Sequence, residues 1–180
     1  MEPRVQEPRQ IWWARPRKLC GLERPGGGGR SHRTERREAE IAYLVARGVR
    51  MCVSTMPTRH NLAAYEAAEL EWHHVPVAKT EDGAAALEEL LPFLRRRMRS
   101  SGAVAVHGNR STDFVAAVCA AHVHEARGLD PAQALAEAAR AGLLVSDAAC
   151  ALLGVAPQEV QERLELAAAS ARRGGGRRAA

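Results

Sequence analysis

Between residues 34 and 128, short apolar runs alternate with amphipathic stretches, and this alternation constrains the fold more than any other feature. TERREAEIAYLVAR (34–47) puts Ile41, Leu44 and Val45 on one helical face at i, i+3, i+4 spacing, and Gly48 follows as a stop. VRMCVST (49–55) reads as a buried strand. MPTRHNLAAYEAAEL reads as a second helix with Thr58 as its N-cap, and EWHHVPV (71–77) as a strand region. After the loop AKTEDG, residues 84–101 read as a long helix bent at Pro92. GAVAVH (102–107) reads as a central strand, and TDFVAAVCAAHVHEARG (112–128) as a helix so apolar that it must be buried. Short strands are expected near Ile11–Ala14 and Lys18–Cys20, before a loop at Pro25–Arg30. DPAQALAEAARAG (130–142) carries an Asp cap and a first-turn proline, and two further helices follow. Together these elements predict an α/β fold. Its central, mostly parallel sheet of about four or five strands has helices on both faces and extra helices at the C-terminus.

The chain of 180 residues is long enough for one domain with a substantial core. Its organisation is read as a flexible N-terminus (1–9), a single α/β domain (10–170) and a disordered Gly/Arg-rich tail (171–180). No apolar run reaches the length of a membrane span, and no signal-peptide core is present. The four cysteines form no CxxC pair, three lie in apolar runs, and they read as reduced core residues of a cytoplasmic protein. Net charge is +5, and the ends supply it. Residues 1–35 hold eight Lys/Arg against four acids, and residues 171–180 hold four Arg and no acid. The tail reads as solvated. With aromatics at 4% there is no stacking platform, so nucleic acid is not the expected partner. GGGG (26–29) lacks the Lys-Ser/Thr of a P-loop and reads as loop.

The stretch AVAVHGNRSTDFVAA (103–117) delivers a polar loop from a buried strand to a helix N-terminus, a layout suited to holding an anion. The candidate loop residues are His107, Gly108, Asn109, Arg110, Ser111, Thr112 and Asp113. Backbone amides there can converge on an anion, and Arg110 adds a positive charge. Against this, Asp113 can satisfy the helix dipole from within, and Ser111 or Thr112 can serve only as N-cap. His73–His74 and His122/His124 are not spaced to complete a metal site, and Arg95–Arg97 read as a solvated face. No metal or cofactor is expected.

The order of these pieces resembles the cysteine-dependent dual-specificity and protein-tyrosine phosphatases in their compact bacterial form. IWWARPRKLCGLERPG resembles that family's aromatic lead-in strand and turn, and EIAYLVARGVRMCVST its first helix and strand. EAAELEWHHVPVAKTEDG resembles the approach to its acid loop. GAVAVHGNRSTDFVAAV occupies the place of its phosphate loop, and DPAQALAEAARA that of the following helix. The resemblance spans residues 10–143 and leaves 144–170 as added helices.

The family's chemistry needs a nucleophilic cysteine, an arginine six positions later and a separate aspartic acid. By resemblance these positions fall on Gly108, Phe114 and Lys79. Glu81 or Asp82 can stand in as an acid only if their loop shifts, and Cys119 lies too far along the helix to replace the nucleophile. His107 keeps the place of a histidine that shapes the loop. The resemblance therefore implies a phosphatase-like protein without the covalent route, a binding or regulatory pseudophosphatase. Its partner would be phosphate, a phosphorylated small molecule or a phosphoprotein. The alternative is an enzyme that acts on a phosphorylated substrate through the 107–113 loop by a different mechanism.

Overall fold

The structure, a computed structural model, describes residues 4–28, 30, 32–100, 102–109 and 112–175. Five strands form one sheet: β1 (Ile11–Arg15), β2 (Leu19–Leu22), β3 (Val49–Ser54), β4 (Glu71–His74) and β5 (Ala103–His107), in the order β1-β2-β5-β3-β4. β1 runs antiparallel to β2, and every other pair is parallel. Among the described residues seven α-helices cover it: α1 (Thr34–Ala46), α2 (Leu62–Ala67), α3 (Ala84–Arg97), α4 (Asp113–Arg127), α5 (Pro131–Arg140), α6 (Asp147–Leu152) and α7 (Pro157–Gly175). The expected α/β architecture is what the chain adopts.

Alternation along the strands builds two cores. Leu19, Met51, Val53, Val104 and Val106 face α3, α4, α5 and α7. Cys20, Leu22, Val49, Cys52, Ala103 and Ala105 face α1 and α2. β5 is buried along its whole length at the sheet centre. Its sequel α4 is buried from Asp113 through Val123, which accounts for that helix's apolar composition. Gly21 lets α4 sit close on β2, since a Cβ there would come within 2.8 Å of Val115. All four cysteines are buried free thiols, and burial pushes Cys52 and Cys119 up to about 12.

Two local expectations need correction. The second helix begins at Leu62 and not near Thr58. Asn61 precedes it at φ 72, and its side chain is committed elsewhere. Oδ1 accepts from Arg24 at 3.1 and 3.3 Å, and Nδ2 donates to the Pro25 carbonyl at 2.9 Å. Thr112 does not cap α4 with its side chain; its Oγ1 accepts the Leu144 amide at 2.7 Å. Asp130 does cap α5, accepting from the Gln133 amide. In the N-terminal segment, the Gln6 amide donates to the Ala39 carbonyl, and Tyr43 donates its hydroxyl proton to Glu7. Residues 1–3 and 176–180, Gly29 of the glycine run and Ser101 lie outside the described residues.

Candidate functional site

Three parallel strands end side by side, and their carboxyl ends open into one small pocket, the usual ligand position in such sheets. The pocket has a volume of about 200 Å³. Thr55 and Pro57 after β3, Val77–Thr80 after β4, Gly108 and Asn109 after β5, and Asp113 and Phe114 at the head of α4 line it. Lys79 thus lines the same pocket as Gly108 and Asn109. Glu81 and Asp82, in the 3-10 turn Thr80–Asp82, are exposed and do not line the pocket. Arg110 and Ser111 lie outside the described residues.

His107 closes β5 beneath the loop. Its Nδ1 lies 3.0 Å from the Gly108 carbonyl, which can only accept, so Nδ1 carries the proton. Nε2 then accepts from the Tyr65 hydroxyl at 2.8 Å. Burial holds this imidazole down at about 4, so it is neutral at physiological pH with both nitrogens engaged. The His107 carbonyl accepts from the amide and the hydroxyl of Thr55, which ties β3 to the loop. Through Asn61 just before it and Tyr65 within it, α2 connects Arg24 after β2 to the loop after β5. Sequence reasoning missed this relay; its one signal is an asparagine at a helix start, a residue type that tolerates positive φ.

Asp113 is 8% exposed. Its Oδ1 accepts the Phe114 amide at 3.0 Å, and its Oδ2 accepts from the Ser146 hydroxyl at 2.7 Å. The carboxylate thus sits at the α4 N-terminus, where the helix dipole favours it, and is tied to the segment before α6. Phe114, 5% exposed, lays its ring against Gly83, where a Cβ would meet ring carbons at 2.5 and 2.7 Å. Its side chain is a packed wall of the pocket.

The other histidines are dispersed. His73 stacks on Phe93 with ring centroids 4.3 Å apart and meets Glu89, while His74 donates to the Met56 carbonyl. His122 accepts from Arg15 at 3.3 Å, and His124 donates to the Leu129 carbonyl. Among the described residues no three His, Cys, Asp or Glu side chains are grouped to hold a metal, and no helix is long and apolar enough to cross a membrane.

No family model matches the sequence, and no curated protein matches it. Solved structures do match the fold. Tk-PTP in its active form superposes with a TM-score of 0.63 at 22% identity, covering 86% of this chain and 97% of its own. Human DUSP28 gives 0.62 at 22% identity, covering 90% and 99%. TpbA of P. aeruginosa, in complex with pTyr, gives 0.64 at 20% identity, covering 88% and 90%. The chain has the fold of the dual-specificity and protein-tyrosine phosphatases, over almost the whole length of these structures.

Proposed function

We propose that this chain is a member of the phosphatase-like family that binds a phosphorylated ligand at the β5–α4 loop and does not hydrolyse it by the cysteine route. The observation that carries the reading is the make-up of the pocket. It is built where the fold's ligands sit, with Lys79 on one wall and the Gly108–Asn109 loop on the other. Yet the positions that resemblance assigns to the nucleophile and the oxyanion-gripping arginine are Gly108 and Phe114. Glycine offers no atom to attack phosphorus, and a buried phenyl ring cannot fork onto two phosphate oxygens. A complex such as that of TpbA with pTyr supports a phosphoryl group as the class of ligand.

The engagement of the titratable side chains among the described loop residues supports the binding reading over another mechanism. His107 is neutral with both nitrogens engaged, and the two oxygens of Asp113 accept from Phe114 and Ser146. The purified chain, incubated with an aryl phosphate, is therefore expected to release phosphate no faster than buffer does. Turnover that co-purifies with the protein through successive columns contradicts the proposal.

A further inference from the structure

The end of the sheet opposite the pocket collects cations that the sequence scatters. β2, β5 and β3 all start there: Leu19 pairs with Val104, and Val49 with Ala103. α1 and α3 each lead into a parallel strand region and so finish at that end. Arg17, Lys18, Arg47, Arg50, Arg96 and Arg99 therefore surround one rim. Five are exposed and Lys18 is half-buried. Arg50 lies over Gly102 between two strand starts, and Arg47 covers the Tyr43 ring at 5.1 Å.

None of the six forms an ion pair among the described residues. Of the acids at that end, Glu71 is engaged by Arg97, Glu125 by Arg95 and Asp130 by Arg163, and exposed Glu69 before β4 forms no ion pair among the described residues. The C-termini of α1 and α3 offset only about half a charge each, which leaves a strong surplus. α7 adds to it. Arg163 pins this helix to Asp130 at the start of α5, and the helix then continues to Gly175 for about 18 Å at 1.5 Å per residue. That projection carries exposed Arg172 and leads into the Arg-rich tail.

We propose that this rim is a second binding face, which takes the phosphate backbone of a nucleic acid duplex without reading its sequence. The chemistry of the rim selects the partner. Among the described residues the exposed large apolar side chains are Val5, Leu144 and Leu166; Leu166 stands alone on the α7 extension and the six rim positions include none, so the rim offers no apolar patch for a lipid interface or a protein hot spot. No described aromatic side chain is exposed, which removes base stacking on single strands. Exposed guanidinium groups outside ion pairs suit phosphate contacts, which position without specifying.

The test is fluorescence anisotropy of a labelled mixed-sequence DNA duplex titrated with the full chain over a series of salt concentrations. Binding is expected, with log affinity falling linearly against log salt. The triple variant Arg17→Gln, Arg50→Gln, Arg99→Gln should flatten that slope by about 3 and weaken binding at least tenfold at about 0.1 M salt. Arg9→Gln, Arg30→Gln, Arg59→Gln makes the same charge change at the other end and should leave both nearly unaltered. Thermal melts of both triples check folding, and glutamine keeps the Cβ and Cγ of Arg50 over Gly102. Four results overturn the proposal: no duplex binding at low salt, equal losses in the two triples, loss only on deleting residues 171–180, or tighter binding to phosphatidylserine vesicles than to the duplex.

Discussion

Phe114 and Gly83 form the tightest constraint at the site. Gly83 has φ −79, an ordinary value for any residue, so its glycine is required by space and not by backbone conformation. Gly83→Ala forces a methyl group into the Phe114 ring and is expected to cost about 1–3 kcal/mol, the usual cost of overpacking. Phe114→Leu opens room there. A double-mutant cycle by urea denaturation should therefore show the two changes compensating, with the pair less destabilised than the sum. Strict additivity would mean that the ring is not what excludes a side chain at Gly83. The polar character of the loop was legible in the sequence because HGNRST is bracketed by apolar runs. The contact of Phe114 with Gly83 was not legible, since it joins the heads of α4 and α3, which only the fold brings together.

At the scale of elements, the β5–α4 junction is held from outside. Thr112 and Asp113 accept hydrogen bonds from Leu144 and Ser146, in the segment between α5 and α6. This segment begins just past the part of the chain that resembles the phosphatase family, and its link to the loop gives the added helices a role. Thr112→Val keeps the shape and removes the acceptor of the part-buried Leu144 bond. It is expected to lower stability by about 1–2 kcal/mol, read as a shift in the urea midpoint at constant slope. An unchanged midpoint would show that the tie contributes nothing. The mostly parallel sheet and the existence of the helices followed from periodicity and from apolar content, and α4 in particular had to be buried; the strand order did not follow. The start of α2 did not follow, because the side chain of Asn61 is claimed by Arg24 and Pro25, far from it in sequence.

At the scale of the whole molecule, titration and charge distribution set the behaviour. Burial lowers His107 from 6.5 to about 4, and it lowers His32 and His122 as well. The unfolded chain therefore binds more protons between pH 6.5 and 4, so stability is fully present above pH 6.5 and is lost as pH falls toward 4. His107 alone accounts for up to about 3 kcal/mol of that loss, at 1.36 kcal/mol per pH unit. Denaturation midpoints across this range should fall, and His107→Asn should flatten the dependence. A flat profile in the unaltered protein would contradict a buried neutral imidazole. The overall surplus of positive charge was countable from composition, but its concentration at the strand starts was not. Arg17, Arg50 and Arg99 lie far apart in the chain and meet only through the parallel order of β2, β5 and β3.

The central claim is that the pocket binds a phosphoryl group that it cannot cleave. A calorimetric titration of the intact protein with a phosphotyrosine peptide, repeated with Lys79→Ala and with the unphosphorylated peptide, tests it most directly. The account predicts saturable heat with the phosphopeptide, weakened by Lys79→Ala and absent without the phosphate, and the peptide recovered unhydrolysed. No heat at millimolar peptide, or equal binding of both peptides, would contradict it.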